Sequence, residues 1–176
     1  MRTSFETERL FCREMLPSDA EGMFELDSSR EVHRYLGNNP IKTIEESHDW
    51  IRDIRQQYLD NGIGRWAVIL KETGEFMGWS GLKVEFDVNG HERFYDLGFR
   101  FIKRYWGNGY ATESAKAFVD YGFNELKIPI INAYADFDNV GSQKVLENAG
   151  LKFVNEFLFD GTVEYWYEAV NPKLKP

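Results

Sequence analysis

Hydrophobic and polar residues alternate over residues 9–14, and six later stretches between turn residues are rich in the β-branched and aromatic residues that favour strands. Alternation over a few residues is typical of a half-buried β-strand, because successive side chains of a strand point to opposite faces. The pattern predicts strands over residues 9–14, 66–70, 76–86, 94–102, 130–135, 151–159 and 163–170. Turn residues at 73–74, 89–90 and 160–161 separate successive strands, so the three strands after residue 65 are expected to form an antiparallel meander and the last two a hairpin.

Other stretches carry helix signals. Ser18 with Glu21, and Thr43 with Glu46, have the spacing of a capping box, in which two side chains satisfy the first free amides of a helix. The second predicted helix should end at residues 61–62, and residues 30–36 are expected to add a short helical piece. Further helices are predicted over residues 110–126 and from Asn139 to Gly150. No repeat or linker interrupts these elements, which predicts a single domain over residues 1–176.

Net charge narrows the choice of partners. The chain has 29 acidic and 21 basic residues and a formal charge of −8, which disfavours nucleic acid and anionic membranes. The same charge suits a cationic substrate such as a protonated amine, and it also suits simple solubility. Cys12 alternates with Leu10 as an inward-facing strand residue, and we expect it in the core. With no visible signal peptide or apolar run of membrane length, the expected location is cytoplasmic.

The turn before the third long helix is the candidate chemical motif. It consists of Trp106, Gly107, Asn108, Gly109, Tyr110, Ala111 and Thr112. Two glycines at a helix start permit tight backbone geometry and let free amides converge on an anion, although glycines that serve only packing would give the same pattern. A dinucleotide fingerprint would need a third glycine at Thr112 and a turn early in a parallel unit. A P-loop would need a Gly-Lys-Ser/Thr triplet, which the sequence lacks.

This turn and a second block resemble the GNAT superfamily of N-acetyltransferases, and in particular its RimJ/RimL-like branch of ribosomal-protein N-terminal acetyltransferases. The turn is similar to the family signature Gln/Arg-x-x-Gly-x-Gly/Ala, with Trp106 at a position where this branch commonly has tryptophan. The second block, residues 139–151, is similar to Asn-x-x-Ser-x-x-Val-Leu-Glu-x-x-Gly-Phe. The resemblance covers nearly the whole chain. It implies an α/β (α+β) fold with a mixed, mostly antiparallel central sheet of about seven strands flanked by helices.

The resemblance also implies a cosubstrate and the residues that hold it. Acetyl-CoA would bind with its pyrophosphate on the backbone amides of residues 107–112 and the Thr112 hydroxyl. Its pantetheine arm would lie along Phe99, Arg100 and Phe101, in contact with Asn139. The implied reaction is direct attack of a primary amine, either a protein N-terminal α-amine or a small-molecule amine. Dimers are common among such relatives, which makes a homodimer one expected assembly.

Acetyl transfer to an amine needs a base for the ammonium form and an acid for the departing thiolate. Many relatives have a tyrosine acid at the position of Leu146, so the resemblance instead suggests Ser142. Asp96 is the candidate base, with Glu92, expected in a loop, as the weaker choice. Tyr134 lies where some relatives have a catalytic glutamate, and we expect it to pack or to line the site.

The sequence leaves two alternatives to an N-acetyltransferase open. A non-catalytic acyl-CoA-binding module would fit the missing tyrosine, and a dinucleotide-dependent oxidoreductase is disfavoured by Thr112. The three histidines have no ligand spacing, and we predict no metal. Side chains that could line an acceptor site, or belong to the core, are Tyr35, Trp50, Phe86 and Trp166.

Overall fold

Eight strands form one sheet in the computed structural model, which describes residues 2–174. The strands are β1 (Ser4–Glu6), β2 (Leu10–Glu14), β3 (Arg65–Leu70), β4 (Phe76–Val88), β5 (His91–Phe101), β6 (Ile130–Asp136), β7 (Lys152–Phe159) and β8 (Thr162–Val170). Their spatial order is β1-β2-β3-β4-β5-β6-β8-β7, and every neighbouring pair is antiparallel except β5 and β6. The predicted mixed, mostly antiparallel sheet is confirmed.

The strand missing from the prediction is β1. Its three residues are too few to show alternation, and it is recognisable only by its pairing with β2, where Phe5 lies opposite Cys12. The Phe5 ring packs against Trp66 and Phe118, with ring centroids 5.3 and 4.9 Å away. Tertiary contacts, and not local sequence, therefore select this strand.

Four α-helices flank the sheet. They are α1 (Ala20–Asp27), α2 (Ile44–Asn61), α3 (Tyr110–Asn124) and α4 (Val140–Asn148), and short 3₁₀ turns occupy Pro17–Asp19, Val32–Tyr35 and Lys103–Tyr105. The predicted helical piece near residue 33 is thus a 3₁₀ turn. Within residues 2–174, none of the helices combines the length and apolar character needed to cross a bilayer.

One of the two predicted capping boxes is wrong. The Glu46 carboxylate accepts from the Thr43 amide at 3.0 Å, as predicted for α2. At the first helix, however, Ser18 and Glu21 form no such box: Asp19 Oδ2 accepts from the Leu16 amide at 2.7 Å and caps the preceding 3₁₀ turn, and α1 itself has no side-chain cap. The 3₁₀ turn that Pro17 begins moves the start of α1 to Ala20, and the Arg13 guanidinium holds the Asp19 carboxylate in place.

The two faces of the sheet carry different helices. Helix α3 packs on one face, where Gly122 approaches Leu82 and Ile131 so closely that an added Cβ would lie 2.8 Å from each. Helix α1 lies on the opposite face, where Asp27 pairs with Arg100 of β5 at 2.6 Å. We call this second surface the α1 face.

Strands β5 and β6 meet at one point and then separate. Their parallel pairing consists of the single register Asp96 with Asn132, whereas β5 remains paired with β4 as far as Phe101. The edge of β5 over residues 97–101 therefore carries backbone groups without a strand partner on the β6 side. Such an edge can pair with an extended ligand as it would with another strand.

Candidate active site

Residues 106–112 form an open cradle at the start of α3. Gly107 and Gly109 have φ of 76° and 81°, in the left-handed region that favours glycine. Among residues 2–174, no backbone acceptor receives the amides of residues 107–112. An added Cβ at Gly107 would meet nothing within 4 Å, so the cradle faces open space. Free amides and the positive end of a helix dipole are typical features of sites that bind a phosphate.

Side chains within the turn hold the cradle in shape. The Trp106 indole Nε1 donates to the Phe101 carbonyl at 2.7 Å, which joins the turn to the end of β5. The Asn108 Nδ2 donates to the Trp106 carbonyl at 3.0 Å. Trp106 and Asn108 therefore shape the backbone, and the amides remain available for a ligand.

Residues near the N-terminus also hold the cradle in place, a contact that the sequence did not predict. Glu113, in the first turn of α3, accepts from the Arg9 Nε at 2.7 Å, the Arg9 amide at 2.9 Å and the Thr7 hydroxyl at 2.5 Å. Arg9 also donates from Nη1 to the Asn108 carbonyl at 3.0 Å, and its guanidinium lies 4.4 Å from the centroid of the Tyr110 ring. No sequence signal links these residues, because Arg9 and Glu113 are 104 positions apart.

The three predicted residues of β5 differ in what their side chains do. Phe101 is buried in the core and Phe99 packs against it. The Arg100 side chain turns to the α1 face and pairs with Asp27. What these residues offer to a pantetheine arm is consequently their backbone, along the edge that β6 leaves unpaired.

The second predicted block begins α4. Asn139 is the N-cap, and its Oδ1 accepts from the Ser142 amide at 3.1 Å. The half-buried Ser142 hydroxyl and the Asn139 Nδ2 form no hydrogen bond with the residues that the structure describes. Leu146 is 2% exposed and belongs to the core, so the position at which many relatives have a tyrosine is taken up by packing.

Asp96 lies at the point where β5 and β6 meet, but its carboxylate is already engaged. Arg65 donates to Asp96 Oδ2, to the Asp96 carbonyl at 2.8 Å and to the Gly81 carbonyl. Both side chains are buried, and Gly98 leaves the space that the guanidinium occupies, since an added Cβ there would lie 2.5 Å from Arg65 Nη2. This pairing argues against Asp96 as a free base and favours a positioning function. Glu92, expected in a loop, is an exposed residue of β5.

The α1 face beyond this ion pair is acidic and aromatic. Tyr134 of β6 lies opposite Trp166 of β8, and Asp136 lies opposite Glu164. Burial raises the pKa of the Tyr134 hydroxyl above its usual range, and the charges of Asp96 and Glu85 add to the effect. Burial, with Asp136 beside it, raises the pKa of Glu164 to about 7. Trp166 is 1% exposed and belongs to a small aromatic cluster with Phe94.

These features fit acetyl-CoA. The cradle supplies unpaired amides for the pyrophosphate, and the open edge of β5 supplies backbone groups for the arm. Ionisable side chains near the point where the strands separate could serve a proton transfer. Among the described residues 2–174, no cluster of three or more His, Cys, Asp or Glu side chains is arranged to hold a metal ion.

Comparison with known proteins establishes the family. The model of the Acetyltransferase (GNAT) domain matches residues 9–152. The chain is 33% identical over 153 residues to the uncharacterized N-acetyltransferase p20 of Bacillus licheniformis, with 86% of this chain and 83% of p20 covered. It is 29% identical over 174 residues to the uncharacterized N-acetyltransferase YoaA of Bacillus subtilis, with 96% and 97% covered. The chain belongs to the GNAT family, and it is an acetyl-CoA-dependent N-acetyltransferase.

Solved structures share the fold. A GNAT-family acetyltransferase from Bacillus anthracis superposes with a TM-score of 0.81 at 24% identity, covering 97% of this chain and 99% of that one. A ribosomal-protein-S5-alanine acetyltransferase from Vibrio fischeri has a TM-score of 0.79 at 18% identity, covering 99% and 100%. A spermidine N-acetyltransferase from Vibrio cholerae, in complex with CoA and spermine, has a TM-score of 0.74 at 17% identity, covering 95% of this chain and 98% of that one. At these identities the similarity concerns the fold alone.

Proposed function

We propose that this chain, as a single catalytic domain, transfers the acetyl group of acetyl-CoA to a primary amine, with the cofactor held by the cradle and by the open edge of β5. The observation that carries this proposal is the set of unpaired amides at residues 107–112, at the end of a strand whose outer edge is also unpaired. Neither feature alone points to this cosubstrate. Together they match a ligand with a pyrophosphate at one end and an extended amide-containing arm.

Bound acetyl-CoA would supply an activated acetyl group, and the protein's part is to orient both substrates and to move protons. The C–N bond forms as the C–S bond breaks, and the ammonium form of the acceptor gives up two protons, one to the sulfur and one to solvent. The Asn139 side chain would orient the pantetheine arm. The Ser142 hydroxyl, which has no hydrogen-bond partner among residues 2–174, is the proposed donor or relay of the proton that reaches the sulfur.

The acceptor is either a small-molecule amine or a protein N-terminal α-amine. A ribosomal-protein acetyltransferase and a spermidine acetyltransferase both share this fold, so the fold is compatible with either kind of acceptor. Membership of the RimJ/RimL-like branch, a cytoplasmic location and a homodimeric assembly stay predictions.

The test is to incubate the protein with acetyl-CoA and a panel of peptides, polyamines and aminoglycosides while following free thiol and acceptor mass. Release of thiol together with a gain of one acetyl group by the acceptor supports the proposal. Binding of acetyl-CoA with no acetylated amine would favour an acyl-CoA-binding module instead. A Ser142→Ala variant should bind acetyl-CoA normally but turn over more slowly, and an unchanged kcat would remove Ser142 from the mechanism.

A further inference from the structure

Glu164 is a buried residue whose carboxylate oxygens keep some contact with solvent and have no protein partner among residues 2–174. It is 9% exposed, and its side chain forms no hydrogen bond or ion pair within the described part of the chain. Buried carboxylates are normally paired with a cation or hydrogen-bonded, because an isolated charge loses its hydration. The other carboxylates of this face have such partners: Asp96 has Arg65, Glu85 has Lys83, and Glu168 accepts from Asn132 at 3.0 Å. Glu164 is therefore the acidic group of this face for which a bound ligand would supply the counter-charge.

Sheet geometry directs Glu164 toward the acceptor side. Residues directly opposite one another on neighbouring strands point to the same face. Glu164 lies opposite Asp136, two positions along the strand pair from Tyr134 and Trp166. Asn132, four positions before Asp136, is in turn the partner of Asp96 at the point where β5 and β6 separate. Glu164 thus shares a face with the groups nearest the proposed path of the pantetheine arm.

We infer that Glu164, with Asp136 beside it, binds the ammonium group of the acceptor and accepts its proton, and that the acceptor is an amine with no carboxylate close to it. This inference rests on the proposed function and identifies its base and the charge class of its substrate. An ammonium ion would supply the missing counter-charge at Glu164. A carboxylate on the acceptor would instead meet the charges of Asp136 and Glu164, while Arg65 and Lys83 on this face are already paired with Asp96 and Glu85.

The proton step is simple. One proton moves from the ammonium nitrogen to a Glu164 carboxylate oxygen, which frees the nitrogen lone pair for attack, and the proton then leaves to solvent. A base works best when its pKa is near the operating pH, and the pKa of Glu164 is about 7. Besides burial, the charge that raises the pKa of Glu164 is that of Asp136 on β6. The other titratable groups near this part of the face are Tyr134 of β6 and His91 of β5, whose ring stacks on Trp166 with the centroids 4.7 Å apart. The facing residue of β7 is Phe157, which is uncharged.

The experiment uses two probes of the same chain length. Calorimetry in the presence of CoA measures binding of 1,4-diaminobutane and of 4-aminobutanoate, in which a carboxylate replaces one aminomethyl group. The wild type should bind the diamine at least tenfold more tightly than the amino acid. Glu164→Gln, which keeps shape and removes charge, should weaken diamine binding at least tenfold and lower kcat/KM. It should also abolish the rise of kcat/KM with pH near 7.

The matched control is Glu156→Gln on the neighbouring strand. Glu156 is exposed and lies opposite Tyr165, on the other face of the sheet, so this variant should behave as the wild type. Acetyl-CoA binding is measured separately for all three proteins and should be the same. Wild-type protein that fails to bind acetyl-CoA would overturn the proposed function and this inference with it.

Other results overturn the inference alone. They are an unchanged diamine affinity and pH profile in Glu164→Gln, equal binding of the two probes, or no diamine binding by a protein that does bind acetyl-CoA. Thermal unfolding of Glu164→Gln checks that any loss does not come from misfolding.

Discussion

Removing the charge of Asp96 should lower the free energy of unfolding, because the Asp96 carboxylate is the buried counter-ion of Arg65. Asp96→Asn leaves the Arg65 guanidinium buried, at 6% exposure, with only the carbonyls of Gly81 and Asp96 and a neutral amide as acceptors. Breaking one side of a buried ion pair typically costs about 3 to 5 kcal/mol, because the remaining charge loses its counter-ion without regaining water. Two carbonyl acceptors remain, so we expect the lower end, about 3 kcal/mol.

The assay is thermal and urea-induced unfolding. For a protein of 176 residues, a loss of about 3 kcal/mol corresponds to a fall in Tm of about 6 to 12 °C. The matched control is Glu92→Gln, an exposed carboxylate on the same strand, whose free energy of unfolding should change by no more than about 0.5 kcal/mol. The double variant Arg65→Met/Asp96→Leu should recover part of the loss, since it removes both charges.

A Tm for Asp96→Asn within about 2 °C of the wild type would refute this reasoning. If that small change came with a collapse of kcat, Asp96 would be a catalytic base and not a positioning residue. Equal destabilisation by Asp96→Asn and Glu92→Gln would also contradict the importance of burial.

Three further predictions follow from the same structure. Gly109→Ala should weaken acetyl-CoA binding about tenfold, because alanine resists the left-handed backbone of the cradle. The control Gly161→Ala has the same φ of 81° at a distant hairpin turn, so it should carry similar strain and leave the Kd unchanged. Calorimetry that finds equal Kd values for the two variants would contradict this prediction. Because the pKa of Glu164 is raised, the folded state binds this proton more tightly than the unfolded state; the resulting stability is present below the unfolded pKa of 4.5 and is lost as pH rises toward 7. Scanning calorimetry at pH 5 and pH 8 should therefore show that Glu164→Gln gains Tm relative to the wild type at the higher pH. A Tm difference that does not depend on pH would be evidence against this prediction. Burial raises the pKa of the Cys12 thiol to about 12, so iodoacetamide at pH 8 should label Cys12 in urea but not in the native protein, as mass spectrometry can verify.

Local sequence determined much of this protein. Seven of the eight strands could be predicted from stretches rich in β-branched and aromatic residues between turn residues, because such side chains pack well on a sheet wherever strands are long enough. The glycines of residues 106–112 and the N-cap Asn139 could be recognised because they satisfy backbone requirements within a few residues of themselves. These two blocks were sufficient to suggest the family.

Only the tertiary structure decided which charges meet. Arg9 anchors the cradle through Glu113, Arg65 of β3 neutralises Asp96 of β5, and Glu164 has no partner in the described part of the chain. Each outcome depends on strand order and register, which bring together residues many positions apart and bury them to different extents. The candidate base illustrates the difference. The sequence indicated the carboxylate of Asp96, and only packing showed that Arg65 already pairs with it, while the carboxylate of Glu164 has no partner among residues 2–174.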